Sequence, residues 1–232
     1  MKLFLLLVKI QKLGCEKCVK KQKELSLMAR IDKNKDNVKV FDCTINFVLL
    51  STIVIMEEEK VILVNELDEP IGLMPKLEAH QKAILHRAFS VFVLNDQNEI
   101  MLQQRASHKY HSPLLWTNTC CSHQREGETN IGAGTRRLYE EMGFTTDIKE
   151  LFHFIYKAPF DNGLTEHELD HVMLGYYNGQ PEINPEEVES WKWMKIEDIK
   201  NDMILQPEQY TVWFKIIFDQ FYHFLEDHTL QA

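Results

Sequence analysis

The segment from Trp116 to Phe144 constrains this chain most, because it joins a polar loop to a short helix with a readable start and stop. Thr129 and Asn130 are residue types that cap helix N-termini, and Gly143 is the type that ends helices. The pattern therefore predicts a helix from 130 to 142. The loop and helix together carry a thiol pair, an imidazole, two arginines and two carboxylates: Cys120, Cys121, His123, Arg136, Arg137, Glu140 and Glu141.

Alternating β-rich and turn segments surround this helix. Residues 88–94 and 100–105, separated by a polar turn at 95–98, have the pattern of a β-hairpin. Further strands are expected at 61–65, 151–156, 169–176 and 191–194, a turn at 68–72, and helices at 196–200 and 210–225. Because strands precede and surround one central helix, we predict an α+β fold, an α/β sandwich with a mixed sheet.

Composition excludes several classes of protein. A net charge of -9 over 232 residues argues against a general nucleic-acid binder, although a few local cations can still hold a small anion. No apolar run reaches the roughly 20 residues of a membrane helix. Five cysteines are too few for a disulfide scaffold in a chain of this length, so we expect reduced thiols and a cytoplasmic protein.

The N-terminal quarter differs from the rest of the chain. Residues 9–39 are rich in lysine without sustained periodicity, and Cys15 and Cys18 form a CxxC motif with no second pair. Met56 begins a clean pattern and would make a natural start codon. We therefore expect residues 1–55 to be an accessory extension or an artefact of start-site choice, and residues 56–232 to form the functional domain.

The acidic residues around the central helix resemble the Nudix box, G-x5-E-x7-R-E-U-x-E-E-x-G-U. With Ser122 at the first glycine, the matching residues are Glu128, Arg136, Leu138, Glu140, Glu141, Gly143 and Phe144. Two positions depart from the pattern, because Ser122 replaces a glycine and Arg137 replaces a glutamate. Nudix hydrolases use several of these glutamates to hold Mg²⁺ and activate water, so Arg137 argues against ordinary hydrolysis.

These departures, with further motifs, resemble the type 1 isopentenyl-diphosphate isomerases from about Val61 to Leu225. The motifs lie at 76–80, 85–90, 104–109, 116–123, 156–158, 166–170 and 207–213. The resemblance implies a Nudix-like mixed sheet, with the central helix after the Cys-Ser-His loop and flanking C-terminal helices. It implies isomerisation of isopentenyl diphosphate to dimethylallyl diphosphate through a tertiary carbocation, feeding isoprenoid biosynthesis.

The resemblance also implies a division of labour within the site. Three imidazoles and two carboxylates would hold Mn²⁺ or Zn²⁺: His80, His86, His123, Glu166 and Glu168. Glu168, coupled to Tyr156, would deliver a proton to the alkene, and Cys121 would remove one from the other face. Glu141 would hold Mg²⁺ on the substrate diphosphate. The substrate itself would contact four cations and an aromatic ring: Lys76, Arg105, Lys109, Arg137 and Trp213.

Some residues keep two interpretations. Trp116, Tyr156 and Trp213 could face the carbocation. Core packing is the alternative for Trp116 and Trp213, and for Trp116 the two interpretations are equal. His167 lies between Glu166 and Glu168 and should point to the other face of a strand. The remaining histidines have no motif behind them and are not assigned to the site: His108, His111, His153, His171, His223 and His228.

Two other functions remain open at this stage. A Nudix hydrolase of a nucleoside diphosphate derivative would share the fold and Mg²⁺, but it has no use for Cys121 or for three histidines. A non-catalytic metal-binding module would not need every motif position to carry a reactive side chain. The expected partner is a small-molecule diphosphate, with no nucleic acid and no membrane, and the expected state is a monomer or weak dimer.

Overall fold

A computed structural model describes residues 59–109, 111–160 and 163–229. The predicted extension at 1–55 lies outside the described residues. The strands are β1 (Lys60–Val64), β2 (Pro70–Pro75), β3 (His86–Leu94), β4 (Glu99–Arg105), β5 (Trp116–Thr117), β6 (Cys120–Ser122), β7 (Ile148–Pro159), β8 (Thr165–Tyr176) and β9 (Val188–Lys195). The helices are α1 (Lys76–Lys82), α2 (Asn130–Met142), α3 (Ile196–Leu205), a 3₁₀ turn (Pro207–Gln209) and α4 (Val212–Thr229).

Strand β3 is the centre of the sheet. It pairs in parallel with β8 along its whole length, from His86 beside Glu168 to Leu94 beside Tyr176. Its pairings with β1, β4 and β6 are antiparallel, so the sheet is mixed, as predicted. Nearly every residue of β3 is buried, which is the pattern of a strand covered on both faces. The predicted α+β class is confirmed.

The two larger apolar cores of the described chain lie on the two faces of this sheet. Phe92 and Leu94 of β3 pack on one face against α3 and α4, where Phe92 stacks on Phe221 with ring centroids 4.1 Å apart. The alternate residues Phe89 and Val91 pack on the other face against α2. This two-residue alternation follows from strand geometry. Each fully buried aromatic side chain stabilises the fold by about 1.5–3 kcal/mol.

The predicted ends of the central helix are confirmed. The Thr129 side chain accepts a hydrogen bond from the Gly132 amide at 3.0 Å, and Gly143 adopts the left-handed conformation with φ of 73°. A Cβ atom at Gly143 would lie 2.4 Å from the Glu182 carbonyl oxygen, so only glycine fits. Both devices are local in sequence, which is why the sequence predicts them.

Other boundaries differ from the prediction. The expected turn at 68–72 is wrong, because the chain turns at 65–69 and β2 begins at Pro70. The Asn65 side chain causes this, since its Oδ1 accepts hydrogen bonds from the amides of Leu67 and Glu69, both at 3.0 Å. Helix α1 was not predicted, and α3 continues beyond Lys200 to Leu205. Among the helices described, none is long and apolar enough to cross a membrane.

Candidate active site

A cavity of about 530 Å³ is lined by residues of the sheet, of α2 and of α4. It brings together almost all of the predicted site residues, which come from seven different strands and helices and from the loops beside them. Those that line it are Lys76, His80, Arg105, Lys109, Cys121, His123, Arg137, Glu141, Tyr156, Glu166, Glu168 and Trp213. His86 is fully buried and lies behind the cavity wall.

Four of the predicted metal ligands form one compact group. His80, His86, His123 and Glu168 each offer a ligand atom, and these atoms lie within 4.8 Å of one another. Pairing of β3 with β8 sets His86 beside Glu168, and pairing of β6 with β3 brings in the residue that follows β6, His123. Helix α1 contributes His80. The group is therefore a product of strand pairing between distant segments.

The imidazoles of this group are in the form that binds a metal. Burial lowers the pKa of His80 to about 3 and that of His123 to about 4, so both rings are neutral at physiological pH. The Nδ1 atom of His86 lies 2.8 Å from the Ile84 carbonyl and must carry the ring proton, which leaves Nε2 as a lone pair. Within the described part of the chain, three ring nitrogens of the group are buried without a hydrogen-bond partner: His80 Nε2, His86 Nε2 and His123 Nδ1. Buried ring nitrogens without partners, on residues whose ligand atoms lie within 4.8 Å of one another, fit a divalent cation.

Tyr156 connects the two glutamates of β8. Its hydroxyl lies 2.6 Å from Glu168 Oε2 and 3.1 Å from Glu166 Oε2. Burial raises the pKa of Tyr156 well above its ordinary value, and the adjacent carboxylates add to this effect. Both glutamates face the cavity, as their spacing predicted. Glu166 lies outside the 4.8 Å group that contains Glu168.

The two glutamates differ in protonation. Burial and the neighbouring Glu168 carboxylate raise the pKa of Glu166 well above its usual range. Burial alone would also raise the pKa of Glu168, but the hydrogen bond with His123 Nε2, at 3.1 Å, lowers it well below its ordinary value. Two like charges this close share a site poorly, so one carboxyl tends to keep its proton. Glu168 is the ionised member of the pair.

The adjacent cysteines point to opposite faces of β6. Cys120 pairs with Val91 and is fully buried in the core beside α2, as predicted for a small apolar residue. Cys121 pairs with Ser90, is half-buried and lines the cavity. Burial, aided by the Glu141 carboxylate, raises the pKa of Cys121 to about 12, so the group is a thiol at neutral pH.

The acidic residues of α2 fall into two sets. Arg136 makes two hydrogen bonds to Glu128, at 2.7 and 2.8 Å, and one to Glu140 at 3.1 Å, so these carboxylates are occupied by an arginine. Glu141 instead is buried at the cavity wall and accepts a hydrogen bond from Gln103 at 2.8 Å. Among the predicted Nudix-box glutamates, Glu141 is thus the one that faces the cavity.

Each predicted substrate-binding cation has a partner that holds it. Lys76 Nζ lies 3.3 Å from Glu59, and Lys109 pairs with Glu187. The Arg105 guanidinium lies over the Trp213 ring, 5.1 Å from its centroid. Arg137 pairs with three carboxylates: Glu140, Glu141 and Glu187. These partners orient the cations along one wall of the cavity.

Several residues are placed differently from the expectation. Trp116 does not line the cavity; it packs against the core, with Lys192 Nζ 4.2 Å from its ring centroid, so the packing interpretation holds. His111 does line it, with its ring 5.6 Å from that of Trp213, although no motif pointed to it. Gln103 was also missed. Its position two residues before Arg105 on a strand was the available clue.

Comparison with known proteins identifies the fold. Residues 84–214 match the NUDIX domain. A solved structure from Deinococcus radiodurans superposes with a TM-score of 0.59 at 20% sequence identity, covering 70% of this chain and 98% of that one. At this level of identity the likeness concerns the fold alone, and the fold is that of the Nudix class.

Curated relatives identify one family within the Nudix class. The isopentenyl-diphosphate Delta-isomerase of Pectobacterium atrosepticum is 48% identical over 159 residues, which are 68% of this chain and 89% of the relative. Isopentenyl-diphosphate Delta-isomerase 2 of Aromatoleum aromaticum is 45% identical over 163 residues, which are 70% of this chain and 86% of the relative. The chain belongs to the isopentenyl-diphosphate isomerase family of Nudix proteins.

Proposed function

We propose that this protein converts isopentenyl diphosphate to dimethylallyl diphosphate. The family membership supports this activity. The observation that carries it is the pairing of Cys121 with the Tyr156–Glu168 pair on the wall of one cavity that is also lined by cations. A hydrolase of the same fold needs neither a thiol nor a second proton-transfer group there.

The reaction transposes a double bond, so one carbon gains a proton and a neighbouring carbon loses one. Protonation of the terminal alkene carbon places a positive charge on the tertiary carbon. Removal of a proton from the allylic carbon then forms the new double bond. We propose that Glu168 with Tyr156 handles one of these protons and that Cys121 handles the other, because groups on separate strands can reach different carbons of one substrate.

The protonation states of Cys121 and Glu168 fit the reaction in one of its two directions. Cys121 is a thiol and Glu168 is ionised, which is the state from which Cys121 donates a proton and Glu168 accepts one. One turnover leaves the opposite state, with Glu168 protonated and Cys121 ionised, as the family resemblance assigns them. Since the reaction is reversible, each state serves one direction, and Tyr156 can relay the proton that resets Glu168.

We propose two metal ions for this site. Mn²⁺ or Zn²⁺ suits the group of His80, His86, His123 and Glu168, because it offers neutral imidazoles and a carboxylate, and Glu166 lies beside it as the fifth ligand. A cation bound there would neutralise the buried carboxylates and make hydroxyl groups bonded to them more acidic. Mg²⁺ suits Glu141, since this ion combines few carboxylates with substrate phosphate oxygens.

The substrate would be held at its two ends. Lys76, Arg105, Lys109 and Arg137 supply the positive charge for a diphosphate, and arginine can bind two phosphate oxygens at once. Trp213 is 97% buried (3% exposed) and lines the cavity with Tyr156. A carbocation over an aromatic face gains about 0.5–2 kcal/mol, and the enclosed wall would keep water from capturing it.

Proton NMR of the purified protein with isopentenyl diphosphate, Mg²⁺ and Mn²⁺ tests this function. We expect dimethylallyl diphosphate to form, with incorporation of deuterium from heavy water. A parallel assay with nucleoside diphosphate derivatives should release no phosphate. Phosphate release without isomerisation would instead establish a Nudix hydrolase.

We further propose that the protein is a monomer or weak dimer. We also propose that it works in a reducing cytoplasm, since Cys120 and Cys121 are free thiols.

A further inference from the structure

A second group of metal-ligating side chains lies on the face of the sheet opposite Glu168. Glu150 and His153 of β7 and His171 of β8 each offer one ligand atom, and these atoms lie within 4.8 Å of one another. His171 is three residues from Glu168 on the same strand, so the two side chains face opposite sides. We propose that these three residues bind a divalent transition metal of the Zn²⁺ type.

Local strand geometry assembles the group. His153 and His171 are direct cross-strand partners, and their ring centroids are 5.4 Å apart. The pairing shifts between Glu150 and Phe152, which is a β-bulge. A bulge adds one residue to one strand and re-aims the side chains on either side of it. Glu150 and His153 are three residues apart and would otherwise face opposite sides, yet both approach His171.

His171 has a carboxylate on each side of its ring. The ring is almost fully buried, with Nδ1 at 2.7 Å from Glu150 Oε1 and Nε2 at 3.2 Å from Asp68 Oδ2. A neutral imidazole has a single N–H. Two carboxylates beside one buried ring concentrate negative charge, which favours a cation bound there. Glu150 and His153 are exposed, so their side chains can move from the hydrogen-bond spacing of 2.7 Å to the wider spacing of two ligands on one metal.

Arg87 holds the Asp68 carboxylate in place beside this histidine. Asp68 Oδ1 accepts a hydrogen bond from Arg87 Nε at 2.7 Å, and the Asp68 carbonyl accepts another from the same guanidinium at 2.7 Å. Histidines that bind a metal through one nitrogen regularly direct the other N–H to a carboxylate, which fixes the ring and its tautomer. With a metal on Nδ1, His171 would direct its Nε2–H to Asp68 Oδ2, which lies 3.2 Å away.

The hydrogen bonds of His171 Nδ1 with Glu150 and Asn130 do not involve His153. The exposed His153 adds a second imidazole, and two imidazoles with one carboxylate are a donor set that suits Zn²⁺ with a water in the fourth position. The site would join β7 and β8 to the β1–β2 turn through Asp68. It would also reach the start of α2 through Asn130, whose Nδ2 lies 2.9 Å from His171 Nδ1. A metal bound there would hold these elements together and would take no part in proton transfer.

Zinc titration of the full chain tests this site. The protein is stripped with a chelator, dialysed against graded Zn²⁺ and analysed for metal content. We expect the unmodified chain to hold one more Zn²⁺ than His153→Ala or Glu150→Gln, with the affinity of that equivalent falling by at least about 10-fold. His223→Ala is the matched control, because His223 is an exposed imidazole near two carboxylates, Asp219 and Glu226.

A second pair of measurements separates metal binding from a purely structural role. Asp68→Asn should weaken this zinc equivalent by about 10–100-fold without changing the other equivalents. His153→Ala should keep isomerase activity and the metal-free melting temperature, since its side chain is exposed, and should lose the rise in melting temperature on zinc addition. The proposal is overturned by equal zinc content and affinity in His153→Ala and the unmodified chain.

Discussion

His86 and Glu168 are register neighbours on parallel strands β3 and β8, with His86 Nε2 at 3.6 Å from Glu168 Oε1. His123 Nε2 approaches the same oxygen at 3.1 Å, while Tyr156 bonds to the other oxygen at 2.6 Å. Glu168 therefore belongs at once to the proposed metal group and to the proposed proton-transfer pair. This double membership gives the site its most testable consequences.

Removal of either proton-transfer group should abolish turnover and leave binding intact. We expect Cys121→Ala and Glu168→Gln to lower kcat by about 10²–10⁴-fold, the usual contribution of a positioned acid or base. Proton NMR measures turnover, and calorimetry measures diphosphate binding. Cys120→Ala is the matched control, since this thiol lies on the opposite face of β6. Activity of Cys121→Ala within about tenfold of the unmodified chain would contradict the mechanism.

Loss of one imidazole from the compact group should release its metal. His123→Ala is expected to remove one equivalent of Mn²⁺ or Zn²⁺ from the purified protein, because the remaining ligands no longer fill the coordination shell. Elemental analysis measures the content. His167→Ala serves as the control, since His167 lies between Glu166 and Glu168 but contacts the Ala83 carbonyl at 3.0 Å instead. Unchanged metal content in His123→Ala would refute the ligand assignment.

Neutralising Arg137 should weaken substrate binding more than chemistry. In Arg137→Gln, KM is expected to rise by at least about tenfold, because a hydrogen bond to a charged group contributes about 1.5–3 kcal/mol. The variant also leaves Glu141 and Glu187 without this arginine, so the melting temperature should fall. Arg125→Gln is the control: Arg125 also lines the cavity, but its side chain is 63% exposed. An unchanged KM would remove Arg137 from the substrate site.

The Glu128–Arg136 pair should give a defined pH dependence of stability. The hydrogen bond from Arg136 lowers the pKa of Glu128 below that of the unfolded chain, which is about 4.3. The contribution of this carboxylate is therefore present above about pH 4.3 and is lost as the pH falls through the lower folded pKa.

We expect the melting-temperature difference between the unmodified chain and Glu128→Gln to be steady near neutral pH and to shrink below about pH 4.3. Thermal melts across this range provide the measurement. Glu126→Gln, which changes an exposed neighbour, should show no such trend. A difference independent of pH would show that the ion pair does not stabilise the fold.

Residues 56–232 should fold and act without the N-terminal extension. The core residues of the described chain lie between Val61 and Phe221, and every proposed site residue lies between Lys76 and Trp213. The shortened chain is expected to keep kcat and the melting temperature of the full chain. If the shortened chain is insoluble or inactive, residues 1–55 contribute to the folded domain.

Features that depend on neighbouring residues were predictable from the sequence. Thr129 and Gly143 cap α2 through contacts within a few residues, and the alternation of a strand separates Cys120 from Cys121. Family motifs supplied the site residues that alternation and capping could not. It was harder to predict from the sequence whether a side chain faces the cavity or the core. The sequence offered both interpretations for Trp116, and only packing against the core decided between them.

The sequence by itself determined the central helix, the strands β3 and β4 with the turn between them, and the reactive residue types in the loop before α2. The two strands pair with each other only beside that turn, at Leu94 and Ile100. The tertiary structure alone decided which of these residues meet. The parallel pairing of β3 with β8 joins His86 to Glu168, and the bulge in β7 brings Glu150 to His171. The physical reason is range: capping and alternation act over a few residues, whereas strand register arises from packing between segments far apart in the chain.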